Sequence, residues 1–241
     1  MDPRSAFFDE RAAGWETRCY PEPVRARLWP LIRSFVLPWG GVVLDMGSGP
    51  GTLLPYERRA VGPEGTIISF DISFQMMRQA MAKDSGGAMC RMQATAMFLP
   101  LKDATCDALV CFAAFPHFAD KSAAMAEMSR VAKPGASLHI AHLLSREELC
   151  RHHGEKTVVS RDVLPEDEAM RGIFREVGFS EPSIIDCPGF YLASALKLRG
   201  ISACAARLGV CGDGAGRDVL SIKKAEMVPD QQRNRSVLSP G

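Results

Sequence analysis

The sequence predicts an α/β protein built on a mostly parallel sheet with helices on both faces. Three observations carry this expectation. Between residues 41 and 144, short apolar runs alternate with amphipathic stretches, as parallel strands joined by crossover helices require. The runs are rich in Val, Ile and Leu without strict alternation, which suits a sheet covered on both sides. The first run continues as VVLDMGSGPGTL (residues 42–53), with three glycines at the point where a strand hands over to a helix.

Strands are expected at 41–46 (GVVLDM), 66–71 (TIISFD), 90–94 (CRMQA), 107–114 (DALVCFAA) and 136–143 (ASLHIAHL). PYERRAVGPEG reads as a short helix closed by glycine and proline, and SFQMMRQAMAK as a helix with its apolar face at 74, 77 and 81. SAAMAEMSRVAKPG (122–135) is a helix with a Pro-Gly stop ahead of the fifth strand. SREE at 145–148 has the form of a capping box, Ser145 at the N-cap and Glu148 at N3, so a short helix should run to about His153. After a loop through KTVVSRDVLP, PEDEAMRGIFREVGF begins with proline and acids, buries Met170, Ile173, Phe174 and Val177, and stops at Gly178. PSIIDC and FYLASALKL supply a β-hairpin joined through CPG. Ahead of the first strand, AFFDERAAGWE and PEPVRARLWPLIRSFVLPWG read as two helices. Their aromatic residues at 7, 8, 15, 29, 35 and 39 need burial. For Trp29 and Phe35 the sheet is the natural place; for Phe7, Phe8 and Trp15 a mobile lid over a ligand is an equal alternative. The expected division is a helical cap at 1–40, a main domain at 41–198, and a turn-rich polar tail at 199–241 that is loosely attached or disordered.

With 241 residues, 46% of them hydrophobic, the chain is long enough for one substantial core. A formal net charge of +1 gives no general pull toward nucleic acid or an anionic membrane, which leaves a small molecule as the expected partner. No apolar run reaches the roughly 18 residues of a membrane span, and MDPRSAFFDERAAGWE lacks the basic-then-apolar order of a signal peptide, so a cytoplasmic protein is expected. Eight cysteines at 19, 90, 106, 111, 150, 187, 204 and 211 form no CxxC pair, which favours reduced thiols over disulfides or a structural zinc.

In an open parallel sheet, ligands bind beyond the carboxyl ends of the strands near the point where strand order reverses. Gly47, Gly49 and Gly51 permit positive φ and a close backbone approach there. Asp71 ends the second strand 20 residues after Gly51, where a carboxylate accepts both hydroxyls of a ribose; the alternative is a cap for the helix starting near Ser73. A nicotinamide dinucleotide asks for a third glycine in phase, and this chain has Thr52 after Gly51. Asp45, two residues before Gly47, suits an ammonium group better than a pyrophosphate. The pattern points to an amino-acid nucleoside.

At these residues the sequence resembles the class I S-adenosylmethionine-dependent methyltransferases. VLDMGSGPG looks like their first motif, SFDIS like the acidic end of strand two, MFLPLKDATCDALVC like the entry to strand four, and VAKPGASLHI like the approach to strand five. The resemblance spans about residues 7 to 198 and is best with the small-molecule branch similar to quinone-biosynthesis methyltransferases. It implies a Rossmann-like, seven-stranded sheet with an antiparallel C-terminal strand and S-adenosyl-L-methionine as cofactor. Carried over, it places Asp45, Gly47 and Gly49, with Ser48 and Gly51 of the same turn, at the methionyl part of the cofactor. Asp71 falls on the ribose, and Ile72, Thr95 and Ala96 at the adenine. The family usually has an aspartate where this chain has Thr95, whose uncharged hydroxyl makes a weaker contact, by about 1 kcal/mol.

Methyl transfer from a sulfonium needs alignment above all, and a base only when the acceptor carries a proton. Acceptor contacts are expected from the ends of strands four and five and the helix at 145–153. His117 and His142 are the candidate catalytic residues; the alternative for His117 is a helix-capping or exposed role. Arg146 and His153 are candidate pocket residues, in a histidine, Ser-Arg-Glu, histidine pattern similar to that of relatives, the alternative being that His152 and His153 simply close a helix C-terminus. His139, inside a strand, reads as a core histidine. No metal is expected. Arsenite methyltransferases use thiols on this fold, but the cysteines here sit mostly in strands and core. A second expectation, of a different class, is a non-catalytic cofactor-binding or scaffold protein with a degenerate fold, prompted by Thr95 and the tail.

Overall fold

Seven strands form one sheet in the order β3-β2-β1-β4-β5-β7-β6. They are β1 (Val42–Met46), β2 (Thr66–Asp71), β3 (Ala88–Gln93), β4 (Cys106–Phe112), β5 (Ala132–His142), β6 (Ser183–Cys187) and β7 (Phe190–Leu196). β7 runs antiparallel to β5 and β6, and the pairings from β3 through β5 are parallel. The computed structural model describes residues 2–83, 86–154, 159 and 162–199, without the side chains of 153 and 154. The expected tail from residue 200 and half of the loop at 156–165 lie outside the described residues.

Strand order reverses between β1 and β4, so their carboxyl ends open the crevice in which such sheets bind ligands. The two faces of the sheet differ in kind. Leu44, Met46, Phe70, Leu109, Leu138 and Ile140 enter the main apolar core with Met125, Met128, Met170 and Phe174 of the helices α7 (Lys121–Val131) and α9 (Asp167–Glu176). The alternate residues Val43, Asp45, Ser69, Val110 and His139 point the other way. That face is covered by α4 (Leu28–Arg33), α5 (Leu54–Val61) and α6 (Phe74–Met81).

The region before β1 forms four short helices where two are expected: α1 (Pro3–Arg11), α2 (Trp15–Cys19), α3 (Glu22–Arg25) and α4. Gly14, at φ +67°, stands at the N-cap of the second, and Pro21 separates the second from the third. Phe35 is buried and stacks on His139, with ring centroids 4.6 Å apart, whereas Trp39 stays 70% exposed, its ring lying over Gly62. On α6 the expected face at 74, 77 and 81 is rotated: Met76, Met77 and Ala80 are buried, while Phe74 and Met81 are exposed. The rotation is fixed at the helix start, where the Ser73 hydroxyl accepts from Met76 N at 3.1 Å and Asp9 accepts from Gln75 N at 3.0 Å.

Pro134 and Gly135 do not precede β5; they lie inside it, at a register irregularity against β4 between Cys106 and Ala108. The capping box forms as expected at α8 (Arg146–Gly154): Ser145 N donates to Glu148 Oε2 at 2.8 Å and Glu148 N to Ser145 Oγ at 3.2 Å. On α9, Met170 and Phe174 are buried and Ile173 and Val177 half-buried, and Gly178 at φ +78° follows its end. Of the six described cysteines, Cys106 and Cys111 are core residues, whereas Cys19, Cys90 and Cys150 are exposed, so the thiols are less buried than expected.

His139 is the expected core histidine. Its Nε2 accepts from Val36 N at 3.1 Å and its Nδ1 lies 2.8 Å from Ser194 Oγ. Burial holds its pKa down to about 3. An imidazole depressed this far is neutral when folded but protonates when unfolded below about pH 6.5, so stability is present above that pH and is lost as pH falls toward 3. At about 1.4 kcal/mol per unit, the loss approaches 5 kcal/mol. His139→Gln is expected to give a shallower fall of melting temperature between pH 6.5 and 4 than the parent protein; parallel profiles would contradict this account.

Candidate active site

The turn after β1 is held shut by β2. Ser48 N donates to the Phe70 carbonyl at 2.9 Å, and Gly49 N to Asp71 Oδ2 at 2.9 Å. Gly47 must be glycine on two counts: φ is +66°, and a Cβ would lie 2.4 Å from the Ala114 Cβ of the segment after β4. Gly49 is also left-handed, at φ +54°, but a Cβ there would meet nothing within 4 Å. The turn therefore closes tightly against β4 and presents an open face at Gly49.

That face borders a cavity of about 1040 Å³. Asp45, Gly47, Ser48, Gly49, Asp71, Ile72, Thr95 and Ala96 all line it; Gly51 does not, and packs toward Leu54 and Ala80 beneath the turn. Asp71 serves both readings of its role. Its Oδ1 accepts from Ser73 N at 2.8 Å while Oδ2 holds Gly49, and each oxygen keeps a lone pair for a further donor. Burial raises its pKa to about 6, against the downward pull of these amide bonds. Thr95 turns its hydroxyl into its own turn, where Oγ1 accepts from Met97 N at 3.4 Å.

Asp45 is 2% exposed, and its Oδ2 has no hydrogen-bond partner. Burial, then the charge of Asp71, pushes its pKa up to about 8. An orphaned buried carboxylate oxygen beside an open glycine backbone is what the ammonium end of an amino-acid nucleoside would satisfy. The residues present fit such a ligand.

α1 and α2 roof the cavity. Ser5 Oγ donates to the Ile72 carbonyl at 3.2 Å, Ser73 Oγ donates to Asp9 Oδ1 at 2.5 Å, and Phe8 packs edge-on against Trp15 and His117. Arg4 grips Asp162 with Nη2 at 2.6 Å from Oδ1 and Nε at 3.2 Å from Oδ2, and His117 Nδ1 lies 2.9 Å from the same Oδ2. Burial works against the Asp162 charge, but His117 and Arg4 hold its pKa down at about 2. His117, Asp162 and Arg4 thus join the segment after β4, the loop before α9 and α1.

The remaining wall combines Tyr20, Phe112, His142, Leu143, Leu149 and His152. Tyr20 and Phe112 rings lie 6.0 Å apart, and His142 Nδ1 accepts from Leu144 N at 3.0 Å. Arg146 is not part of this wall. Its guanidinium pairs with Glu166 at 2.9 Å, Asp167 at 3.3 Å and Asp186 at 3.7 Å, pinning α8 to α9 and β6. Three acids on neighbouring elements outbid the cavity for one cation. The His153 side chain lies outside the described residues. Among the described residues no three His, Cys, Asp or Glu side chains group as metal ligands.

Sequence reasoning missed Tyr20, Arg4 and Asp162. Tyr20 follows the short α2 and Asp162 sits in an irregular loop, so neither belongs to a periodic pattern or a spaced motif.

Residues 44–140 match the family described as Methyltransferase domain. The ubiquinone/menaquinone biosynthesis C-methyltransferase UbiE of Teredinibacter turnerae is 36% identical over 121 residues, covering 46% of this chain and 47% of that protein. The UbiE of Marinomonas sp. is 30% identical over 181 residues, covering 64% of this chain and 72% of that protein. The chain spans about half the length of the first of these relatives. Among solved structures, a SAM-dependent methyltransferase from Aquifex aeolicus superposes with a TM-score of 0.64 at 21% identity, over 78% of this chain and 98% of that one. A putative S-adenosyl-L-methionine-dependent methyltransferase from Methanococcus maripaludis gives 0.62 at 20%, over 80% and 94%. These two share the fold. The agreement of sequence, sheet order and glycine turn places the chain in the class I S-adenosylmethionine-dependent methyltransferases, similar to the quinone-biosynthesis enzymes and with S-adenosylmethionine as cofactor.

Proposed function

We propose that the protein transfers the methyl group of S-adenosylmethionine to a small-molecule acceptor bound between Tyr20, Phe112, His142 and Leu149. The observation that carries this reading is one cavity lined both by Asp45, the glycine turn and Asp71 and by aromatic, leucine and imidazole side chains. Its volume, about 1040 Å³, lies at the upper end of the roughly 300–1,000 Å³ typical of small-ligand sites, as two ligands side by side require.

When bound, the cofactor supplies an electrophilic methyl group on sulfur. Asp45 holds the ammonium group, Asp71 the ribose hydroxyls, and Ile72 and Ala96 flank the adenine. The roof of Phe8 and Trp15 excludes water, and the Tyr20–Phe112 wall directs the acceptor along the line of displacement. His117, oriented by Asp162, and His142 accept a proton where the acceptor carries one. The leucines and rings of this wall suit an aromatic or quinol-like acceptor, a reading in keeping with relatives named as ubiquinone/menaquinone biosynthesis C-methyltransferases. The scaffold reading is less favoured, because a degenerate site has no need to keep an acid, a left-handed turn and a second acid on one cavity. No described helix is long and apolar enough to cross a membrane. With the near-neutral charge, this supports a cytoplasmic protein with a small-molecule partner and without nucleic acid or membrane as a partner.

Calorimetry should show micromolar binding of S-adenosylmethionine and S-adenosylhomocysteine, weakened at least about tenfold, or 1.4 kcal/mol, in Asp71→Ala. That variant loses the ribose contact and the pin on Gly49. A folded sample that binds neither compound would overturn the reading. With a labelled cofactor and a panel of aromatic, thiol and amine acceptors, His117→Gln and His142→Gln should lower turnover while leaving S-adenosylhomocysteine affinity within about twofold. Full turnover in both would remove the proposed roles.

A further inference from the structure

Among the described residues, the arginines that line the cavity are matched by acids or by several carbonyls, with one exception. Arg4 pairs with Asp162, and Arg11 with Glu10 at 3.3 Å. Arg18 closes the end of α1 by donating to the carbonyls of Ala13 and Arg11 at 2.7 and 2.6 Å. The exception is Arg27, which stands between α3 and α4, is half-buried and lines the cavity. Its guanidinium donates from Nη2 to the Gly189 carbonyl and makes no ion pair among the described residues. A guanidinium presents a whole fork of N–H donors, and most of this one is unengaged. Arg146 differs in both respects, meeting three acids and lying outside the cavity.

The Gly189 carbonyl fixes where the Arg27 cation stands. Gly189 lies in the turn between β6 and β7, and a Cβ there would come within 3.5 Å of Arg27 Nη2 and 3.9 Å of Nη1. The guanidinium therefore lies along the glycine backbone. Gly189 N donates to Glu148 Oε2 at 2.7 Å, and the same oxygen accepts from Ser145 N at 2.8 Å. The start of α8, the turn and Arg27 are thus held in series, with Glu148 occupied by two amides. Two residues beyond Gly189, Tyr191 pairs in register with His142 at the carboxyl end of β5. This puts the cation on the ligand side of the sheet, next to the strand that carries His142. In the sheet order β7 is three strands from β1, about 14 Å at the usual strand spacing, so Gly189 and its arginine stand well away from Asp45.

We propose that Arg27 determines the specificity for the acceptor, which is an aromatic acid: the Arg27 fork receives its carboxylate while its ring lies against Tyr20 and Phe112. The inference rests on the methyltransferase reading of the cavity and names the acceptor class of that same site. A half-buried guanidinium without a counter-ion is an electrostatic deficit that an arriving carboxylate removes. A planar anion with two oxygens also matches the fork through paired N–H bonds, which a flexible ammonium would not offer. One unpaired fork suits a singly charged carboxylate rather than a doubly charged phosphate, because the other arginines lining the cavity are already engaged. The carboxylate takes no part in the displacement; it anchors the acceptor so that the ring is held in one orientation.

The test is ligand-observed NMR on the full chain saturated with S-adenosylhomocysteine, using benzoate and naphthoate, each beside its uncharged carboxamide. At neutral pH, wild type should bind each acid at least about tenfold more tightly than its amide, with the ratio shrinking as salt rises. Arg27→Gln should reduce that ratio to about twofold or less, while S-adenosylhomocysteine affinity stays within about twofold. Arg27→Lys, which keeps the charge without the fork, should retain a smaller preference than wild type. Melting temperatures report the folding of each variant; where Arg27→Gln does not fold, the wild-type ratio and its fall in Arg27→Lys decide. An Arg27 that merely pins the β6–β7 turn would weaken acid and amide alike when replaced, and an unchanged ratio in the folded variants would overturn the proposal. So would a wild type that binds S-adenosylhomocysteine but shows no preference for the acids or binds neither probe, and the methyltransferase reading would then stand. Absence of S-adenosylhomocysteine binding by folded wild type would overturn both.

Discussion

The site depends on the Asp71 carboxylate more than on any other single group. One oxygen fixes Gly49 and the other Ser73, so the turn after β1 and the start of α6 are joined through the end of β2. Ser73 then carries the connection outward, donating from its hydroxyl to Asp9 of α1. A side chain of two carbons thereby sets the spacing between the floor of the cavity and its roof. Burial raises the Asp71 pKa to about 6 against the pull of the backbone amides that donate to it, so the group holds both segments as a carboxylate at neutral pH.

The sheet faces divide the remaining work. One carries the apolar core, sealed by methionines and aromatic rings. The other carries a polar row in register: Ser69 on β2, Asp45 on β1, His139 on β5 and Ser194 on β7, with Val110 of β4 between Asp45 and His139. At the β5 end the row is satisfied. His139 and Ser137 hold the backbone of Val36, and so fix the segment leading into β1. At the β1 end it is unsatisfied, and Asp45 and Glu57 retain orphaned oxygens. Unpaired polar groups in a dry interior cost free energy unless a partner arrives, so the deficit is concentrated next to the ligand cavity.

The sheet was legible because its signals are local and repeated. Apolar runs of strand length located all seven strands to within a few residues, and Ser145 with Glu148 announced a cap that the structure forms. What sequence could not settle was rotation and competition. The α6 face turned because Ser73 and Asp9 fix its first turn, and Asp9 lies 64 residues away in sequence from Ser73. Arg146 left the cavity wall because Glu166, Asp167 and Asp186, distant in the chain, meet it at one point. Glu57 was hidden inside a helix that reads as ordinary, since a single acid barely disturbs a helical pattern and only burial reveals its cost.

Two parts of the cavity lining are consequently built on different principles. Asp45, the glycine turn and Asp71 belong to consecutive strands and turns of the sheet, held by backbone amides. Arg4 of α1 and His117 after β4 come from distant parts of the chain, and Asp162 is their common point. Against burial, His117 and Arg4 hold the Asp162 carboxyl below the usual carboxylate range. Arg4 belongs to α1, so its half of the clasp forms only with that helix docked. The roof helix α1 and the segment after β4 that carries His117 are therefore tied to each other through one shared carboxylate.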